Sequence, residues 1–341
     1  MLSLTFLLGL VMAAALTAYA LLGGADYGGG VWDLLATGPS APRQRATIAR
    51  AIGPVWEANH VWLILVVTVL FTGFPPAFAW LGTNLHLPIM LALVGIVLRG
   101  SAFMFRSHGP EEEEKRSTSP EKGAVLLFSE DPWGRLFAVS STVTPVFLGI
   151  LVGAITEGEA GRWLTPFSLS VGLFTLTLFA YLAAVYLTLE AQEDDVRDAF
   201  RARAVAAGVL AGVMALVTLL LARGAPHVWE GLTGSLWAVP LHGMTAAASI
   251  GALSAIWTRR YWWARGAAIT QVTLIVWGWA LTQYPYLIRP ALTFDAAAAP
   301  RATLLLLVLV LLCGAAVVLP SLIYLFRIFG PHHLDARGQG R

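Results

Sequence analysis

Cysteine is nearly missing from this chain: Cys313 stands alone among 341 residues. An intramolecular disulfide needs two cysteines, and Cys-ligated zinc or iron–sulfur centres need several, so this chain alone supplies none of them. Charge is scarce as well, at 12% of residues against 57% hydrophobic, where a soluble domain carries about 25%. That excludes an ordinary soluble protein and points to a polytopic membrane protein. No Lys or Arg precedes Arg43. The apolar stretch Met1 to Leu22 therefore lacks the basic flank of a signal peptide, despite a cleavage-like Ala18-Tyr19-Ala20. It reads as an uncleaved first transmembrane helix with its N-terminus outside. No phosphate loop, dinucleotide fingerprint or zincin motif occurs, and the glycines around Tyr27 lack the strand and spacing such sites require. The net charge of +2 is spread over short loops rather than gathered in a patch, which leaves no footprint for nucleic acid.

What is present in quantity is apolar length. Windows of about twenty residues, enough to cross about 30 Å of hydrocarbon, fall at 3–24, 51–73, 84–105, 136–156, 164–189, 202–222, 236–257, 265–284 and 302–327. Pro75-Pro76 interrupts the second, predicting a helix that ends there and resumes, or kinks. Taking alternate connections together tests the count. One set holds the basic residues from Arg43 to Arg50, Arg106 to Arg135, Arg197 to Arg203, Arg259 to Arg265 and Arg327 to Arg341, seventeen in all. The other set holds four: Arg162, Arg223, Arg289 and Arg301. Basic residues concentrate on cytoplasmic loops, so the expected topology is nine helices, N-terminus out and C-terminus in. The longest connection, about 106–134, carries Glu111 to Glu114, Lys115 and Pro120 and reads as a solvated loop. A weak echo links the ends of the first and fifth spans, at Asp26 and Glu190, and suggests two related halves. Gly149-x-x-x-Gly153 and Gly208-x-x-x-Gly212 are candidate close helix contacts. Tryptophans such as Trp257, Trp262 and Trp263 cluster near helix ends and read as interface anchors.

Ionisable groups inside such helices are costly and mark functional sites by default. Three stand out: Asp26 in Gly24-Ala25-Asp26-Tyr27, Glu57 in Trp56-Glu57-Ala58-Asn59-His60, and Arg99 in Val97-Leu98-Arg99-Gly100. With the first span running inward, all three fall in the cytoplasmic third, and sequential helices usually neighbour one another. The bland alternative is a buried ion pair fastening helices; the functional one is a proton-uptake path, and both can hold. Glu57 and His60 share a helix face. Glu-x-x-His also occurs in di-iron bundles, which need a second such motif and two further glutamates; neither is found. Haem ligation would favour His242 and His60, although a lone intramembrane histidine is more commonly a hydrogen-bonded core residue.

At these residues the chain resembles subunit II of the cytochrome bd-type quinol oxidases. The resemblance rests on Gly24 to Asp33, Pro54 to Leu63, Trp133 to Ala138, Gln283 to Leu287 and Leu319 to Tyr324, spread from one end to the other. It implies an all-α membrane subunit of two four-helix bundles and a peripheral ninth helix, here divided at 1–160, 161–285 and 286–341. It further implies a haem-bearing subunit I as partner, holding the b and d haems and the quinol-oxidising loop. This chain would bind no haem, catalyse nothing in isolation, and lead protons from the cytoplasm to the oxygen site through Asp26, Glu57, Arg99 and His60. A structural quinone and a small single-helix accessory subunit are further expectations. The resemblance implies that some relatives carry another acid a few residues beyond the arginine, where this chain reads Phe103-Met104-Phe105. Two rival readings are a proton-coupled secondary transporter and a non-catalytic assembly scaffold. The transporter predicts polar or broken helices in both halves, and the second half offers only His242, Gln271 and Gln283.

Overall fold

Packing, more than hydropathy, decides where the first helix ends. Helix α1 (Leu4–Leu34) runs unbroken through Gly28, Gly29 and Gly30, although glycine disfavours a helix interior by about 1 kcal/mol relative to alanine. A Cβ on Gly28 would lie 2.0 Å from the Phe179 main-chain oxygen, one on Gly29 2.6 Å from Ile52 Cδ1, and one on Gly30 2.2 Å from Ser141 Cβ. Those neighbours belong to three other helices, which close around α1 as around a post. The computed structural model describes residues 3–108 and 132–329, without the side chains of 54–58, 106–108 and several positions from 319 onward.

The remaining elements are α2 (Ala41–Gly73), α3 (Pro75–Asn84), α4 (His86–His108), α5 (Pro132–Glu157), α6 (Pro166–Glu190), α7 (Asp194–Leu221), α8 (Pro226–Gly234), α9 (Ala238–Trp257), α10 (Tyr261–Gln283) and α11 (Arg301–Phe329). A small antiparallel hairpin, β1 (Tyr286–Ile288) and β2 (Leu292–Thr293), precedes α11. Each of the nine apolar windows falls on a helix. Among the described residues seven helices are long and apolar enough to cross a membrane: α1, α4 to α7, α9 and α11. The C-terminal part of α2, Asn59–Gly73, joins α3 as a pair bent by 113°. The break falls at Phe74, between Gly73 and Pro75-Pro76, where proline supplies no main-chain donor to continue the helix and is well suited to start the next. Helix α6 begins on a reciprocal cap: Ser168 N donates to Thr165 Oγ1 at 3.0 Å and Thr165 N to Ser168 Oγ at 2.9 Å, with Pro166 at its first position.

The connections gather at two ends. At one, Arg43 pairs with Glu193 and, at 2.6 Å, with Asp195; Arg259 reaches Asp198 at 3.1 Å, and Arg203 donates to the Leu35 carbonyl at 3.3 Å. This is the end where the α1–α2, α6–α7 and α9–α10 turns meet. The stretches expected as loops at 25–50 and 190–201 are mostly helix, leaving connections of only 35–40 and 191–193. Residues 109–131, most of the long acidic connection, and the basic tail beyond 329 lie outside the described residues. At the other end, Ala299 N donates to the Gly73 carbonyl at 2.9 Å and Thr5 to Asp295 at 2.6 Å. Gly158, at φ +66°, lies against Arg289 so closely that a Cβ would meet its carbonyl oxygen at 1.4 Å. Gly149 and Gly153 do bring α5 against α6, their Cβ positions 2.7 Å and 2.5 Å from the Cα atoms of Gly172 and Ser168. Gly208 packs on Tyr181, whereas Gly212 has nothing within 4 Å. The tryptophans at the α9–α10 turn project outward, Trp263 at 75% exposure.

Candidate functional site

Asp26 and Arg99, 73 positions apart, meet in the interior as an ion pair between α1 and α4, at 0% and 1% exposure. Arg99 Nη2 holds both the Asp26 carboxylate and, at 3.3 Å, the Asp26 main-chain oxygen. Its Nε donates to Ser141 Oγ on α5 at 3.0 Å. The guanidinium also sits 4.8 Å from the Tyr27 ring centroid and 5.0 Å from that of Phe137, so aromatic faces stabilise the cation. Gly30 is what allows Ser141 this close to α1. Burial of two charges is tolerable only with such pairing and hydrogen bonding.

Helix α2 contributes the other side of the site. Asn59, wholly buried, donates from Nδ2 to Asp26 Oδ2 at 3.5 Å. Above it, Tyr19 and Tyr27 hydroxyls lie 3.3 Å apart. His60, the next residue on α2, lines a cleft of about 620 Å³ with Ile96, Val97, Gly100, Ser101, Met104 and Phe105 of α4. Met104 and Phe105 make that cleft largely apolar. Glu57 is helical and three residues before His60, but its side chain lies outside the described residues.

The sequence-predicted set therefore divides. Asp26 and Arg99 touch, and His60 stands at the edge of their surroundings. Asn59, Ser141, Tyr27 and Tyr19 complete the site and were not singled out, because neutral polar residues carry no large insertion cost to mark them. His242 does not take the expected core role: it is exposed on α9, and its Nδ1 lies 2.6 Å from the Ala238 carbonyl of its own helix. Among the described residues no group of three or more His, Cys, Asp or Glu is placed to hold a metal ion. Chemically, the arrangement is a carboxylate that can take and release a proton, a fixed cation beside it, and an imidazole leading toward the α2–α4 face.

The family model for "Cytochrome bd terminal oxidase subunit II" matches residues 4–329. The chain belongs to that family. It is 24% identical over 201 residues to the cytochrome bd-I ubiquinol oxidase subunit 2 of Escherichia coli, covering 54% of this chain and 48% of that protein. It is likewise 24% identical over 213 residues to a Bacillus subtilis protein provisionally named cytochrome bd menaquinol oxidase subunit II, covering 60% and 58%. The aligned stretches thus span about half the length of these curated relatives. The solved bd oxidase of Geobacillus thermodenitrificans contains a chain of the same fold, with a TM-score of 0.76, 22% identity, and coverage of 96% of this chain and 98% of that one. An all-α, multi-pass subunit II of a bd oxidase is the fold and family on which the site must be understood.

Proposed function

We propose that this chain is the non-haem subunit of a bacterial bd-type quinol:oxygen oxidoreductase in the cytoplasmic membrane. It pairs with a haem-bearing subunit I and leads cytoplasmic protons toward the oxygen-reducing site. The observation that carries the reading is the buried Asp26–Arg99 pair, with His60 beside it on a cleft that faces out of the chain. Asp26 takes up a proton, Arg99 balances the carboxylate when that proton leaves, and Glu57 and His60 on one face of α2 hand it on. The b and d haems of the partner supply the electron transfer and oxygen chemistry; this chain's groups hold and move protons. The exposed apolar rows Val61, Ile64, Val67 on α2 and Met90, Leu93, Val97 on α4 suit a lipid or subunit I neighbour. We assign the Arg43–Glu193 end to the cytoplasm from its excess of basic residues. The bundles at 1–160 and 161–285, with 286–341 as a peripheral ninth helix, form part of the same proposal, as do a structural quinone and a single-helix accessory subunit in the assembled complex.

The test is Glu57→Gln in the assembled complex. It keeps shape and hydrogen bonding but removes the titrating proton, so haem content should be normal while quinol-driven oxygen uptake falls by about a hundredfold or more, as for loss of a positioned proton-transfer group. Glu57→Asp should retain more. Full turnover in a well-assembled Glu57→Gln complex rejects the relay. Sidedness is tested separately: Thr118→Cys in a Cys313→Ser background should label from the cytoplasm alone.

A further inference from the structure

Around Asp26 two buried polar atoms have no hydrogen-bond partner among the described residues: Asn59 Oδ1 and Arg99 Nη1. One is an acceptor and the other a donor. Both belong to side chains that already hold Asp26, Arg99 through Nη2 on one carboxylate oxygen and Asn59 through Nδ2 on the other. Leaving a buried polar group unpaired forfeits its hydration with nothing in return. Where protein groups do not satisfy such atoms, ordered water usually does, given two or more polar partners. The amide is also held in place from behind. A Cβ on Gly23 would lie 3.2 Å from both Nδ2 and Oδ1 of Asn59, so a larger residue there would press on the amide.

We propose that Asn59 is a positioning residue that, with Arg99 Nη1, holds a buried water against Asp26 and links this carboxyl to His60. The proposal rests on the proton-path reading above. Arg99 Nη1 donates to the water oxygen, and the water donates one hydrogen to Asn59 Oδ1. Asn59 Nδ2 keeps the carboxylate turned toward it. In transfer, the water takes the proton from the Asp26 carboxyl as it gives one of its own to the next group along α2. The water is regenerated, Asp26 is left as the carboxylate beside Arg99, and the neutral amide never titrates. An amide suits this position because it donates and accepts at once without adding a third charge to the interior.

The experiment uses the purified complex with subunit I, comparing Asn59→Leu, Asn59→Ser and Gly23→Ala with Glu57→Gln. Asn59→Leu keeps the volume and removes both polar atoms. Its oxygen uptake should fall about a hundredfold, the lower end of what positioned proton transfer contributes. Its solvent deuterium isotope effect should rise, while haem content and haem reduction by quinol stay normal. Asn59→Ser, which leaves room for a second water, should stay within about threefold of the parent, since a bridging water is nearly as good as a direct bond. Gly23→Ala should fall between them, and it carries the test if Asn59→Leu does not assemble. A merely structural asparagine would lower yield without moving the isotope effect, which would overturn the proposal. Parent-like turnover in Asn59→Leu beside an inactive Glu57→Gln overturns the water link and leaves the proton path standing. Parent-like turnover in both removes the path itself.

Discussion

Helices α1 and α6 pack against each other along the centre of the molecule and run toward the same charged end, yet they treat their acids in opposite ways. Asp26 of α1 is fully buried and paired with Arg99. Glu190 of α6 is exposed, at the rim of a small crevice of about 60 Å³ that it shares with Tyr186 and Arg265. Behind Glu190 the core is apolar: Leu182, Ala183, Ala184 and Val185 are all at 1% exposure or less. A buried ion pair rarely stabilises more than well-packed hydrophobic residues would. The second half therefore shows what the fold does when packing alone decides, and the first half shows where something else was required. The contrast also weakens the transporter reading, which calls for polar or broken helices in both halves.

The strongest way to break this comparison is to make the first half resemble the second. Arg99→Leu leaves Asp26 charged and unpaired inside the protein, which should cost about 3–5 kcal/mol. Yield of assembled complex and thermal stability in detergent should both collapse. Pairing it with Asp26→Asn should recover much of the assembly without recovering oxygen uptake. If Arg99→Leu alone assembles normally, Asp26 is not held as an ion. The matching change in the second half, Gln271→Leu, should be neutral or mildly stabilising, because Gln271 is 9% exposed and its Oε1 has no partner among the described residues.

A smaller effect sharpens the role of the α1–α6 seam. Gly28→Ala would drive a methyl to 2.0 Å from the Phe179 carbonyl oxygen; such overpacking costs about 1–3 kcal/mol. Gly212→Ala on α7, with open space around it, should instead gain up to about 1 kcal/mol from helix propensity. Thermal unfolding of the two variants side by side should show shifts of opposite sign. Equal behaviour would mean that the seam can open to admit a methyl.

These contrasts also show what could be read from the residues. Long apolar windows located the helices, because a span must be about twenty residues whatever it packs against. The Pro75-Pro76 interruption became a real break. The meeting of Asp26 with Arg99 was expected from neighbouring helices, but it is made by the long Arg99 side chain reaching α1 from α4, which packs chiefly on α5. Hydropathy could not see that α1 continues ten residues past its apolar window to Leu34, since Gly28 to Gly30 favour no helix by themselves and are helical only because three neighbours press on them. Nor could it find Asn59 or Ser141. Their importance lies in which carboxylate or guanidinium they touch, a fact set by tertiary packing between α1, α2, α4 and α5.

The smallest expected effect lies at the opposite end of the second half. His227, at the start of α8, has its Nε2 buried, with the Gln283 side chain interacting with the ring. Burial first, then the Arg289 charge, pushes its pKa below the ordinary histidine value, with the Gln283 side chain and then Glu230 opposing. The sign follows from linkage. The folded state favours the neutral imidazole, so this stabilising contribution is full above the unfolded value of about 6.5 and is lost as pH falls through the lower folded value. His227→Gln, which cannot titrate, should therefore lose less thermal stability than the parent between neutral and mildly acidic pH. The residue is half-exposed, and the difference should be on the order of 1 °C in a chain of this size. Parallel pH profiles for the two proteins would show that this end of the bundle carries no titrating group that matters to folding, and would leave the Asp26 site as the place where protonation and structure meet.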